Sequence, residues 1–219
     1  MLNTHETRTR VVDPPQRVAE VLFGLIMVLT FTCSLSIAEA GRDDVRTMLI
    51  GALGCNLAWG IIDGVFYLMS SLAEKGGTLL QLQSFRKSPN TEAGRQILAD
   101  ALPPLVASVM QPAEFDAIGD RLRALPEPPS PAKLERKDYL GGLTVFFLVF
   151  LSTFPVAIPF ILMEAAKPAL RVSNLIAISL LFVAGYAYGR CIGRKEWLIG
   201  ICMVVLGTSL VAMAIPLGG

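Results

Sequence analysis

Asp63 lies inside a long apolar run that begins near Met48 and contains the stretch LAWGIIDGVFYLM. An acidic side chain within a transmembrane helix costs roughly 2.5–3.5 kcal/mol on insertion scales, so it usually faces a protein interior or a water-filled path. Counted from the end of the run near Ser70, Asp63 is about 10 Å deep at 1.5 Å per residue. This placement predicts a cation ligand or a proton carrier. A structural aspartate hydrogen-bonded to Trp59, Tyr67 or a hydroxyl is the alternative.

Other oxygen and sulfur groups lie in or beside the apolar runs and could share a site with Asp63. Carboxylate, amide and carbonyl oxygens suit Mg²⁺, Ca²⁺ or Mn²⁺, and a thioether extends the range to softer ions such as Fe²⁺. A proline has no N–H, so it frees the carbonyl oxygen four residues before it. Besides Asp63, the predicted cation path consists of Glu20, Met27, Glu39, Asn56, Met69, Pro155 and Glu164.

Within this set we expect Asp63, Met27 and Glu20 to be metal ligands, with Glu92 and Glu114 gathering ions elsewhere in the chain. Ordinary interfacial roles would equally explain Glu39 and Glu164, which fall near the ends of apolar runs.

Composition narrows the functional class. Hydrophobic residues make up 53% of the chain and charged residues 17%, whereas soluble domains are about a quarter charged. The 19 basic and 18 acidic residues give no overall attraction to nucleic acid. His5 is the only histidine, and we find no nucleophile motif, HExxH sequence or phosphate-binding loop, so we expect no enzyme. No permanently bound cofactor is predicted.

Five apolar runs are each long enough, or nearly so, to cross a bilayer. They extend over about 18–38, 47–70, 139–163, 173–188 and 196–216, and the fourth can extend to Cys191. They predict an all-α polytopic membrane protein: five transmembrane helices with a small helical cytoplasmic insert between the second and third. The sequence Ala38-Glu39-Ala40 resembles a signal-peptidase site, but the preceding apolar run exceeds a typical signal sequence, which favours a retained helix.

The domain boundaries follow from the same pattern. We predict a polar tail over 1–16, two spans over 17–73, the insert over 74–138 and three spans over 139–219, with a polar turn at 41–46. Helix starts are predicted at Asn90-Thr91-Glu92 and at Gln111-Pro112, and the prolines from Pro126 onward should end the last of three or four short helices.

With the N-terminus inside, 15 Lys and Arg residues fall on the cytoplasmic side and 4 on the other. This bias places the insert inside and the C-terminus outside.

Small residues recur at helical spacing in two of the runs. Gly60 and Gly64 form such a pair, and Gly185, Gly189 and Gly193 form a second stripe. Such stripes allow close approach of backbones in a membrane. They predict helix packing within the bundle or, alternatively, a dimer seam.

The layout resembles the vacuolar iron transporter family, which has five spans, a cytoplasmic helical insert after the second, an inside N-terminus and an outside C-terminus. The sequence EVLFG from Glu20 is similar to the opening of the family's first helix. Gly141-Gly142 followed by Pro155 and Pro159 resembles its glycine-rich, twin-proline third helix. Tyr67-Leu68 followed by Ala73-Glu74 is similar to the exit of its second helix.

This resemblance implies a homodimer in the bilayer that exchanges Fe²⁺, Mn²⁺ or a similar divalent cation for protons, and we expect it in a bacterial inner membrane. The family has an Asp-Gly pair in its first helix, where this chain has Met27, and a methionine in its second, near which this chain has Asp63-Gly64. An exchange of Asp and Met between helices would preserve the ligands. A membrane-anchored sensor or scaffold that has lost transport, with a partner bound to the insert, is the alternative.

Overall fold

The structure, a computed structural model, describes residues 12–34, 42–88, 91–126 and 131–214. This part of the chain is helical and contains no strand, which confirms the all-α prediction. Its helices are α1 (Pro14–Ser34), α2 (Arg42–Arg86), α3 (Thr91–Ala101), α4 (Pro104–Val109), α5 (Pro112–Ala124), α6 (Arg136–Ser152), α7 (Phe154–Leu162), α8 (Ala166–Cys191) and α9 (Glu196–Ala214).

Three helical stretches of the described chain are long and apolar enough to cross a membrane. They are Asp43–Arg86, Arg136–Leu162 and Ala166–Cys191, and a shorter apolar stretch covers Glu196–Ser209. These stretches are identified as candidate spans by their length and composition.

Helix α2 is longer at both ends than the sequence predicted. It begins at Arg42, inside the predicted polar turn. Asp43 and Asp44 occupy its first turn, where their negative charges interact favourably with the positive end of the helix dipole and stabilise the helix start. It passes the predicted end near Ser70 and continues to Arg86, since its 45 residues include no proline to interrupt it.

The third predicted span consists of two helices, α6 and α7, which meet at Thr153. Pro155 is at the start of α7, and its missing N–H leaves the Leu151 carbonyl without the usual helical donor. Pro159 lies within α7. Helix α8 starts at Ala166, seven residues before the predicted Ser173. Pro168 is tolerated there because the N–H groups of a first turn have no helical partner in any case.

The chain divides into two compact units. The first unit comprises Met1–Tyr67 and Arg136–Gly219, and the second unit comprises Leu68–Glu135. The core of the first unit includes Leu25, Val28 and Leu181, each fully buried. The core of the second unit is built on Phe85, Leu98 and Phe115.

Glycines bring helices of the first unit together. A Cβ added to Gly60 would lie 3.0 Å from the Phe146 carbonyl oxygen, and one added to Gly64 would lie 3.0 Å from that of Gly142. These contacts confirm the predicted close packing of α2, here against α6. Gly185 and Gly189 likewise face α9. Gly193 instead ends α8, with φ of 66°, in the left-handed conformation that glycine tolerates.

The second unit contains three short helices, α3, α4 and α5, and both predicted helix starts are confirmed at Thr91 and Pro112. A capping box joins Gln111 and Glu114 at the start of α5. At the C-terminal end of α5, Leu122 and Leu125 accept hydrogen bonds through their carbonyl oxygens from Arg86 Nη2, at 3.0 and 2.6 Å.

Candidate cation site

A buried amide joins three segments of the first unit. The Asn56 side chain, on α2, is fully buried. Its Nδ2 donates to the Gly24 carbonyl oxygen on α1 at 3.2 Å, and also to the hydroxyl of Thr153 at the α6–α7 junction. Its Oδ1 is buried and has no hydrogen-bond partner in the described part of the chain. An unpaired buried acceptor costs about 1–3 kcal/mol, so a donor or a cation would bind there favourably.

Asp63 lies two turns further along α2, about 10 Å from Asn56 at 1.5 Å per residue. The positions 56, 60, 63 and 67 follow helical spacing, and Gly60 and Tyr67 both contact α6. The inner face of α2 therefore carries Asp63 too. Its Oδ2 is buried, with no hydrogen-bond partner among the residues that the structure describes. The alternative of a structural aspartate hydrogen-bonded to Trp59, Tyr67 or a hydroxyl stays a prediction, because this finding concerns Oδ2 alone.

Glu20 on α1 is near Asp63. The two carboxylates are close enough for their charges to interact, and Gln16 hydrogen-bonds to the Glu20 side chain. One turn along, the rings of Phe23 and Trp59 meet edge to face with centroids 5.4 Å apart. Glu20 faces Asp63 and the later Phe23 faces the earlier Trp59, so α1 and α2 run antiparallel.

Two neighbouring carboxylates repel each other when both are ionised, and a bound cation or a shared proton relieves this repulsion. We call the sequence of groups Glu20, Asp63, Asn56 and Thr153 the polar track. Its carboxylates lie at one end, and the neutral amide and hydroxyl lie at the helix break. Both kinds of oxygen suit a hard cation.

The other predicted residues of the cation path are more scattered. Met27 is half-buried on α1, and Pro155 is half-buried beside Thr153. Met69 is 59% exposed, and Glu164 is exposed in the turn between α7 and α8. Glu39 lies outside the described residues.

The two predicted ligands of the insert are in the second unit and serve its helices. Glu92 lies 3.5 Å from Arg95 within α3, and Glu114 accepts a hydrogen bond from the Gln111 backbone N–H at 2.7 Å. Over the described ranges, no three His, Cys, Asp or Glu side chains come together to hold a metal ion. A cation at Glu20 and Asp63 would therefore need further oxygens from carbonyls, amides or water.

Sequence reasoning did not identify Thr153 or Gly24 as members of the site. Thr153 is a polar residue two positions before a proline within an apolar run, and this pattern is a usable signal for a helix break. The role of Gly24 depends on its backbone carbonyl, which no side-chain pattern reveals.

No protein-family model matches the chain, and no curated protein matches it significantly. The resemblance described above therefore depends on layout and short motifs alone.

Proposed function

We propose that this chain is a membrane transporter that moves a divalent cation of the Fe²⁺ or Mn²⁺ type out of the cytoplasm in exchange for protons. It would have five spans, with α1, α2, α6–α7, α8 and α9 as the membrane helices and the insert in the cytoplasm. The observation that supports this proposal best is the unpaired, buried Oδ2 of Asp63, with a second carboxylate, Glu20, within electrostatic range of it. Both carboxylates lie on helices that would be within the bilayer, where unpaired acids are expensive.

The carboxylate pair offers a simple exchange mechanism. When ionised, Glu20 and Asp63 together carry two negative charges, which match one divalent cation. When both are protonated the pair is neutral. Replacing one divalent cation with two protons therefore leaves the charge of the site unchanged, and each occupant relieves the repulsion between the acids. Asn56 and Thr153 extend the polar track toward the helix break, where non-helical backbone supplies further oxygens.

The proposal includes a homodimer. The outer face of α2 is apolar and exposed in the single chain, with Ile61, Val65 and Phe66 each about half exposed. Lipid or a second copy would cover this face.

The test is divalent-cation flux into proteoliposomes, measured with an internal metal-sensitive dye for Fe²⁺ and Mn²⁺ with and without a pH gradient. Asp63→Asn and Glu20→Gln should abolish flux, while Asp63→Glu should keep part of it because the charge remains. Asp100→Asn, which removes an exposed carboxylate on α3, is the matched control and should transport normally.

Unchanged transport by a well-folded Asp63→Asn variant would refute the role of the carboxylate pair. A wild-type protein that reconstitutes but moves neither ion would favour the alternative of a membrane-anchored sensor or scaffold.

A further inference from the structure

Helix α4 of the second unit is apolar on both of its faces. Its sequence is PLVASV, and it has no buried residue. On one face, Ala107 and the following Met110 pack against the core cluster of Phe85, Leu98 and Phe115. On the other face, Leu105 is 79% exposed and Val109 is 74% exposed, and the neighbouring Val106 is 42% exposed. We call these three side chains the α4 apolar face.

A surface helix of a soluble domain normally presents polar residues to water. Here the outward side presents Leu105 and Val109 together with Ser108, whose hydroxyl donates back to the Leu105 carbonyl oxygen at 2.9 Å. Leu105 and Val109 are four residues apart and thus on one side of the helix, so their exposed surfaces are contiguous. A contiguous exposed apolar surface of this kind indicates contact with another apolar phase.

The flanking sequence indicates which phase this is. From Ala101 to Ala113 there is no charged residue, whereas α3 and α5 on either side carry charges at intervals of one to five residues. A protein partner would be compatible with a charged rim around an apolar centre. Hydrocarbon is not, because a charge carried into it is costly. The thirteen uncharged residues around the exposed side chains allow this segment to enter the acyl boundary without carrying a charge into it.

The two chain connections of the second unit, through α2 and α6, also favour lipid as the phase that covers the α4 apolar face. The chain enters this unit through α2 and leaves it toward α6, and both helices include stretches long and apolar enough to cross a membrane. Two such tethers would hold the unit at a high effective concentration near the bilayer. A small apolar anchor, too weak to bind a free protein to lipid, is then sufficient.

We propose that the α4 apolar face inserts into the headgroup–acyl boundary of the bilayer and anchors the second unit to the membrane surface. This inference depends on the membrane placement in the proposed function but not on cation transport. It assigns the uncharged segment a lipid-binding role that the transport mechanism does not use.

The experiment uses the full-length protein in phosphatidylcholine–phosphatidylglycerol proteoliposomes. The four cysteines are replaced with alanine, and a single cysteine introduced by Val109→Cys carries an environment-sensitive fluorophore. Lipids brominated near the top of the acyl chain then quench fluorophores at that depth. The matched control is Ala117→Cys on α5, an exposed position flanked at helical spacing by Glu114 and Arg121.

We expect quenching at Val109→Cys to exceed that at Ala117→Cys by about twofold or more, as for a side chain at the acyl boundary. The second variant set adds Leu105→Glu to the Val109→Cys protein, which should reduce the quenching to the control level. Equal quenching at the two positions would overturn the proposal. So would oxidation of the unlabelled Val109→Cys protein to a disulfide-linked dimer in the proteoliposomes, since a second copy would then cover the face.

Resistance to alkaline carbonate extraction separates the two possible failures. A protein that washes off the vesicles would refute the membrane placement and the anchor together. A protein that stays inserted while Val109→Cys remains unquenched would refute the anchor alone.

Discussion

The amide of Asn56 donates to the carbonyl oxygen of Gly24 across the α1–α2 interface at 3.2 Å, and both residues are buried. A helical carbonyl already accepts a bond within its own helix, so this second donor links the side chain of one helix to the backbone of the other. The same amide reaches Thr153, where the helix is broken. One side chain therefore fixes three segments of the first unit.

Asn56→Leu should lower the free energy of unfolding by about 1–3 kcal/mol, because Gly24 and Thr153 each lose a buried donor. Unfolding in detergent, titrated with denaturant and followed by tryptophan fluorescence, measures the change. Thr208→Val is the control. Its hydroxyl bonds only within α9 and is exposed, so it should alter stability by no more than about 0.5 kcal/mol. Equal stability of Asn56→Leu and wild type would contradict the structural role of the amide.

Gly24→Ala should destabilise the protein by about 1–3 kcal/mol through overpacking. The new Cβ would lie 2.7 Å from the Val149 carbonyl oxygen and would also collide with the Ser152 hydroxyl. Gly54→Ala is the matched control in α2, since no described atom lies within 4 Å of its added Cβ. This control should gain about 0.5–1 kcal/mol from helix propensity. The double variant Gly24→Ala/Ser152→Ala tests the hydroxyl as the obstacle, because any loss that persists is not due to the Ser152 hydroxyl.

Arg86→Met should loosen the end of α5 in the second unit. The Arg86 guanidinium donates to the carbonyl oxygens of Leu122 and Leu125, which have no helical donors at this terminus. We expect amide hydrogen exchange in the last two turns of α5 to rise about ten- to a hundredfold, in line with a loss of about 1.5–3 kcal/mol for hydrogen bonds from a charged group. Lys87→Met, which removes the neighbouring charge, is the comparison, and similar exchange in the two variants would refute the capping role.

The ion pair between Arg95 and Asp116 should make the second unit sensitive to acid. Arg95 Nε and Nη2 donate to the two carboxylate oxygens of Asp116 at 2.8 and 2.6 Å. These bonds lower the pKa of Asp116 below its usual value. A carboxylate with a lowered folded-state pKa stabilises the fold above its ordinary pKa of about 4, and this contribution is lost as the pH falls through the lowered pKa.

Hydrogen exchange in α3 and α5 between pH 6 and pH 3 would measure this effect. Asp116→Asn should reduce protection at pH 6 and flatten the pH dependence. Asp120→Asn is the control, since that carboxylate is largely exposed and its contact with Arg123 is 3.5 Å. An acid response of the Asp116→Asn protein as steep as that of wild type would exclude the pair as its source.

Local patterns predicted much of this fold. Proline at the first helical position and a glutamate in the first turn predicted the start of α5. Glycine spacing predicted close packing of α2 within the bundle, but not that α6 would be its partner. The end of α2 could not be predicted in the same way. Gly76 and Gly77 weaken a helix but do not stop it, because they keep the N–H groups that proline lacks.

The candidate site was predictable only in part. Asp63 is recognisable from the sequence because an acid in an apolar run is costly wherever it lies. Its proximity to Glu20 and the bonds of Asn56 depend on how α1, α2 and the α6–α7 junction pack, and Thr153 is 97 positions from Asn56 in the chain. The spacing of apolar residues along the chain does not predict which distant residues pack together.

The turn after α8 has a consequence for biogenesis. Arg194 N–H donates to the Gly189 carbonyl at 3.0 Å around the left-handed Gly193, and the chain reverses directly into α9. Glycines at 185, 189 and 200 then pack the two helices against each other, so their contacts are between positions close in the chain. Local contacts form fastest, since little loop entropy is lost in making them. This pair of helices can therefore assemble as a hairpin while the chain is still leaving the ribosome.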